Sequence, residues 1–193
     1  MNWLAHAYLS KPTAAFRVGN ILPDMLSITE LKKFSPPFQD GIRCHKAIDI
    51  FTDSHSIVKH GITRLPIKYK RYGGILTDVF YDHFLAKNWA RYSSVNLGEF
   101  TKSFSRDLQT IERDMPEDIF NIFQRMLAHN IFENYKEIAG VKTALQRIDL
   151  RLRRPANLAG AIIILEDNYQ AYEADFSAFF PQLQQHVQPY ITE

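Results

Sequence analysis

His45, Asp49, Asp53 and His55 are crowded into the stretch Gly41–His55, and these residue types at this spacing suit a metal or acid–base site. His45 and Asp49 are four residues apart, which stacks them on one face of a helix, and Asp53 continues the stripe a turn further on. Cys44, Ala47, Ile48 and Phe51 follow the i, i+3, i+4, i+7 rule and mark the neighbouring face as core. The polar stripe therefore borders the core, where an unpaired carboxylate is costly and needs a cation or strong hydrogen bonds. A divalent metal meets that need, and imidazole with carboxylate is a common ligand set. Asp53 and His55 lie near the helix end, where capping competes with ligation.

A second cluster follows in Thr77–Leu85. Asp78 and Asp82 are again at i, i+4, on a stripe with Ile75 and Leu85. Two carboxylates on an apolar stripe repel unless a metal or an arginine sits between them. His83 is expected to reach the same cavity from its edge, with a bond to a neighbouring helix as the plainer reading. His6 stands in an opening helix, and Asn20 and Asp24 sit in a Gly/Pro turn where Asp24 is equally suited to capping. His60, His129 and His186 lack acidic companions at ligand spacing and read as structural or surface residues. Cys44 has no histidine on its own face, which argues against a thiol nucleophile. No glycine-rich phosphate loop, Walker pattern or G-x-S-x-G elbow is present. The His and Asp residues therefore favour metal-assisted hydrolysis over covalent catalysis. A non-enzymatic helical binding protein, with the His/Asp pairs as polar core networks, is the alternative.

The elements that must position these groups read as helices throughout. The hydrophobic periodicity predicts helices over Asn2–Leu9, Thr13–Val18, Pro37–Asp53, Ser56–Leu65, Tyr69–Arg91, Asn96–Arg113, Pro116–Tyr135, Glu137–Leu152 and Asn157–Ala174, with a short one before Pro189. Leu26–Phe38 reads as irregular, and Gly19 as a residue placed for unusual backbone angles. No strand alternation or repeat is seen, so the expectation is an all-α, single-domain helical bundle over residues 1–193. A formal charge of +2 gives no reason to expect nucleic acid, and the most apolar run, Leu158–Leu165, is far too short for a membrane span. One cysteine and an amino terminus without a signal pattern make the cytoplasm the expected compartment.

The ordered set Met1-Asn2-Trp3-Leu4-Ala5-His6, Gly19-Asn20 with Asp24, Gly41-Ile42 with His45, Ile48-Asp49, Phe51-Thr52-Asp53 with His55, then Asp78 and Tyr81-Asp82-His83-Phe84-Leu85 resembles the acyl carrier protein phosphodiesterase family. That family is itself similar to HD-type metal-dependent phosphohydrolases. Ser56 stands where the family often has proline, Ala7 replaces a larger aliphatic residue, and the adjacent His-Asp pair of the HD group is absent. The resemblance implies a distorted HD-like fold and removal of the 4′-phosphopantetheine group from holo acyl carrier protein. It also implies a divalent cation, Mn²⁺ by preference, with Mg²⁺ or another divalent ion as alternatives. On this reading Asp24, His45, Asp49 and Asp78 ligate the metal, and His6, Asn20, Asp82 and His83 support ligands, water or leaving group. An acidic carrier protein calls for a basic rim, for which Arg43, Lys46, Lys70 and Arg71 are the candidates, with Arg151, Arg153 and Arg154 as a third group. A nucleotide or small-phosphoester phosphohydrolase on the same scaffold is the rival within the metal class.

Overall fold

The first helix, α1 (Trp3–Tyr8), begins at Asn2, whose side chain accepts the Trp3 N–H. It is followed by α2 (Ala14–Gly19) and a 3-10 turn over Leu22–Asp24. A capping box between Ser27 and Glu30 starts α3 (Ile28–Leu31) inside the segment expected to be irregular. The motif helix is α4 (Pro36–Ser54), with proline in its first turn, and α5 (Ser56–Thr63) follows at once. The second cluster lies on α6 (Gly73–Lys87). The remaining helices are α7 (Leu97–Thr110), α8 (Glu117–Ala128), α9 (Ile131–Asn134), α10 (Ile138–Asp149), α11 (Ile162–Asp167) and α12 (Tyr169–Ile191). This computed structural model describes residues 1–192, among which there is no strand, so the fold is all-α.

Three expected helices are divided. The Tyr69–Arg91 segment is a 3-10 turn over Ile67–Tyr72, then α6, then a 3-10 turn over Trp89–Arg91. The Pro116–Tyr135 segment breaks at Asn130, whose φ of 49° lies in the left-handed region that asparagine tolerates. The Asn157–Ala174 segment is a 3-10 turn and α11, broken at Asn168, before α12 begins. The expected short terminal helix is instead the end of α12, which runs through Pro181 and Pro189. Six side chains of α12, Tyr172, Phe176, Phe179, Phe180, Leu183 and Val187, are buried at helical spacing. Each contributes about 1.5–3 kcal/mol, against about 3 kcal/mol for an interior proline. Tertiary burial therefore outweighs local propensity.

Two glycines fix where the motif helix lies. A Cβ on Gly41 of α4 would stand 2.2 Å from the Phe16 carbonyl oxygen, and one on Gly19 of α2 would stand 2.3 Å from that of Phe38. Neither glycine has a positive φ, so Gly19 serves close approach rather than an unusual turn. The backbones of α2 and α4 touch here, which brings the Asn20 main chain against His45. Behind this crossing α12 packs on α4, α5 and α6, while α10 packs on α6. No helix among the described residues is long and apolar enough to cross a membrane.

Candidate active site

His6 on α1 and His45 on α4 stack face to face, with ring centroids 4.2 Å apart. Asn20, just after α2, holds both rings from behind. His45 Nδ1 donates to the Asn20 carbonyl at 2.9 Å, and His6 Nδ1 donates to Asn20 Oδ1 at 3.1 Å. The Asn20 amide is itself fixed, donating to the carbonyls of His6 (2.9 Å) and Leu9 (3.1 Å) and to Ser10 Oγ (2.9 Å). A neutral imidazole that gives its Nδ1–H away keeps a lone pair on Nε2. Both Nε2 atoms point at one carboxylate: His45 Nε2 is 2.9 Å from Asp49 Oδ2, and His6 Nε2 is 3.4 Å from Asp49 Oδ1. His6 Nε2 also faces the Met1 carbonyl oxygen at 3.1 Å. Electron-pair donors thus converge on one point, and either a proton or a metal ion must reconcile them.

Burial pushes the His6 pKa down, and the neighbouring His45 pushes it further, so the ring is held neutral. Burial opposes protonation of His45 too, but its hydrogen bond to Asp49 and the negative charges of Asp49 and Asp24 together outweigh that and raise its pKa. Burial would raise the Asp49 pKa, yet His45, His6 and the Met1 α-ammonium beside it keep it well below the usual carboxylate range. His6, His45 and Asp49 offer ligand atoms that all lie within 4.8 Å of one another. Rear hydrogen bonds that fix ring orientation are the usual support of metal-ligating histidines, and imidazole with carboxylate suits a first-row divalent ion. The donor set fits a divalent cation. Asp24 borders it, with Oδ1 3.9 Å from His45 Nε2.

The acidic pair on α6 has a different environment. Asp78 Oδ1 accepts from the Met1 α-ammonium at 2.8 Å, and the same ammonium lies 3.8 Å from Asp49 Oδ1. Burial disfavours this ammonium, but Asp78 and Asp49 raise its pKa to about 10. Asp82 is fully buried and accepts the backbone N–H groups of Leu4 (2.8 Å), Asn2 (3.3 Å) and Ala5 (3.3 Å). It therefore holds the N-terminus of α1, where the helix dipole favours an anion. The charge between the two carboxylates comes from a main-chain amine and a helix end, not from an arginine.

His83 stands apart from the cluster. Its Nδ1 donates to the Tyr135 carbonyl at 2.7 Å, and its Nε2 accepts from the Tyr169 hydroxyl at 2.8 Å. It ties α6 to the segment after α9 and to α12, and it lines neither cleft near the donors. His55 caps α5, its Nδ1 accepting the Ile57 N–H at 3.3 Å, and Asp53 is exposed without an ion pair among the described residues. Of the expected basic rim, Arg71 shares a cleft with Arg153 and Arg154, whereas Lys70 donates to the carbonyls of Ile62 and Thr63. Arg43 pairs with Asp40 on the same helix, and Lys46 is exposed.

Two clefts meet at this end of the molecule. One of about 270 Å³ holds Met1, Asp24 and Asp78, and a neighbour of about 370 Å³ is lined by α8 and α10. Asn2, Trp3, Ile148 and Arg151 line both. The Arg151 guanidinium sits 5.6 Å from the Trp3 ring centroid, a cation–π contact that places a positive charge at the junction. Met1, Trp3 and Tyr135 were not legible as site residues. Tyr135 receives the Asn2 amide at 2.9 Å from 133 positions away, and nothing local in the sequence signals that pairing.

An all-α scaffold with a His-His-Asp cluster of metal-binding type at the edge of a double cleft is the class that fold and site define. Within it, the chain belongs to the acyl carrier protein phosphodiesterase family, whose sequence profile matches residues 1–183. It is 28% identical over 189 residues to the acyl carrier protein phosphodiesterase of Yersinia pestis, covering 97% of this chain and 98% of the relative. The protein of that name from Yersinia enterocolitica is 29% identical over 189 residues, with the same coverage of 97% and 98%. That of Klebsiella pneumoniae is 29% identical over 184 residues, covering 95% of each chain. No solved structure matches.

Proposed function

We propose that this protein hydrolyses the phosphodiester joining 4′-phosphopantetheine to the serine of holo acyl carrier protein, with a divalent cation, Mn²⁺ by preference, held by His6, His45 and Asp49. The observation that carries the metal is the convergence of two Nε2 lone pairs on the Asp49 carboxylate, each ring locked from behind by Asn20. The family and its full-length relatives support the substrate. When bound, the cation supplies positive charge to the non-bridging phosphate oxygens and lowers the pKa of water. Asn20 sets the ring orientation, and Asp24 adds a carboxylate beside His45. Arg151, at the junction of the clefts, offers a guanidinium for the phosphate. Water attacks phosphorus, the bond from phosphorus to the serine oxygen breaks, and that oxygen takes a proton. The products are the apo carrier protein and free 4′-phosphopantetheine.

Arg71, Arg153 and Arg154 border the cleft of about 270 Å³ through Leu152, which lines it, and we assign to them the steering of an acidic carrier protein. Cys44 is free and buried, in keeping with a reducing, cytoplasmic setting. The test incubates the purified protein with holo carrier protein and Mn²⁺, with and without EDTA, and reads the carrier's mass. Loss of the phosphopantetheine mass only in the presence of metal is expected. An unchanged mass with metal bound, together with cleavage of nucleotides or small phosphoesters, would replace this reading with the rival within the metal class.

A further inference from the structure

The larger cleft has no part in holding the donors. Its floor is apolar, built by Trp3, Ile122, Met126, Ile131, Ala144 and Ile148, and its rim carries Arg125 and Arg147. Its volume of about 370 Å³ falls in the range of small-ligand pockets, roughly 300–1,000 Å³. Through Asn2, Trp3, Ile148 and Arg151 it is continuous with the cleft that holds Asp24 and Asp78.

We infer that this cleft receives the pantetheine arm of the substrate, so that α8 and α10 read whatever acyl group the arm's thiol carries. The inference rests on the carrier-protein reading. A phosphodiester at the donor cluster extends in two directions. One branch is a folded protein, which cannot enter a cleft of this size. The other is a slender chain of methylenes, a dimethyl-substituted carbon and two amides, ending in sulfur. Apolar side chains match the hydrocarbon, and arginines at the rim offer donors for the amide carbonyls. The Asn2–Tyr135 hydrogen bond couples the wall of this cleft to α1, and hence to His6. A seated arm therefore bears on the helix that presents one of the donors.

The test uses the metal-free full chain, so that no turnover intervenes. A carrier protein whose arm bears a fatty acyl group with a terminal diazirine is photolysed in the complex, and the labelled peptides are located by mass spectrometry. Labelling within residues 122–131 and 144–148 is expected. Labelling confined to other segments would overturn the inference. In parallel, Ala144→Phe fills the floor and Ile122→Trp, at a half-buried position, narrows the cleft. In metal-loaded protein each variant should lower kcat/KM for medium-chain acyl carrier protein at least tenfold, with Mn²⁺ affinity and circular dichroism unchanged. Folded variants whose kcat/KM and acyl-length profile match wild type would also overturn it. If wild-type protein labels in the cleft but leaves holo carrier protein intact, the proposed reaction fails and the arm site stands.

Discussion

The polar stripes of α4 and α6 carry the same signature, two chemistry-bearing side chains at i, i+4 beside a buried face, yet they end in opposite roles. On α4, His45 and Asp49 meet His6 across the stack, and two Nε2 atoms and a carboxylate face one another with only a proton or a cation to reconcile them. On α6, Asp78 and Asp82 meet donors: the Met1 α-ammonium and the first N–H groups of α1. Spacing along a helix establishes that two groups share a face. What they do depends on whether the element opposite supplies donors or acceptors. The first arrangement is open to a proton or a cation from outside, and the second is already satisfied within the chain.

The sharpest test of this contrast is Asp49→Ala, which removes the carboxylate shared by both rings. Cation retention should be lost and turnover should fall by more than about 100-fold, beyond the cost of a supporting residue, with the helical circular dichroism intact. Asn20→Ala frees both rings from behind and should lower Mn²⁺ affinity about 10–100-fold in a direct titration. Asp82→Ala should act on stability instead. Leaving three N–H groups of α1 without their acceptor is expected to cost about 2–4 kcal/mol and lower Tm by roughly 5–15 °C. If folded Asp82→Ala lost Mn²⁺ as completely as Asp49→Ala, the division of labour between α4 and α6 would be wrong.

The last test lies in the pH dependence. Burial, only partly offset by the Met1 ammonium and by the Leu4 and Ala5 N–H groups, raises the Asp82 carboxyl to about 7. Its unfolded value is near 3.9, so between these two values the native state binds more protons than the unfolded one. Stability should therefore fall as pH rises from about 4 through 7. Asp82→Asn, which cannot ionise, should flatten that slope in urea midpoints measured across the range. An unchanged slope would show that other groups set it.

Much of α4 was legible because its signals are local: prolines at the start, a helical apolar stripe, and His45 with Asp49 on one face. Cys44 lies on the core side as its position on the wheel required. The break at Asn130 and the run of α12 through two prolines were not legible, since each is decided by what packs against it. At the site, His6 joins the donor cluster and His83 leaves it for Tyr135 and Tyr169, although both stand in the same family pattern. The cluster of His6, His45 and Asp49 depends on a helix crossing made possible by Gly19 and Gly41, and no periodicity within one helix encodes a crossing.

The Asp82 cap also sets an order of events. A helix as short as α1 is not stable alone, and its anchor lies 77 to 80 positions further along the chain. Closing so long a loop is slow relative to forming local structure. His6 is held beside His45 and Asp49 by a near tie to Asn20 and a far one through Asp82, and the three donors are fixed together only once the long loop has closed. A chain in which α1 has not docked presents only two of the three donors.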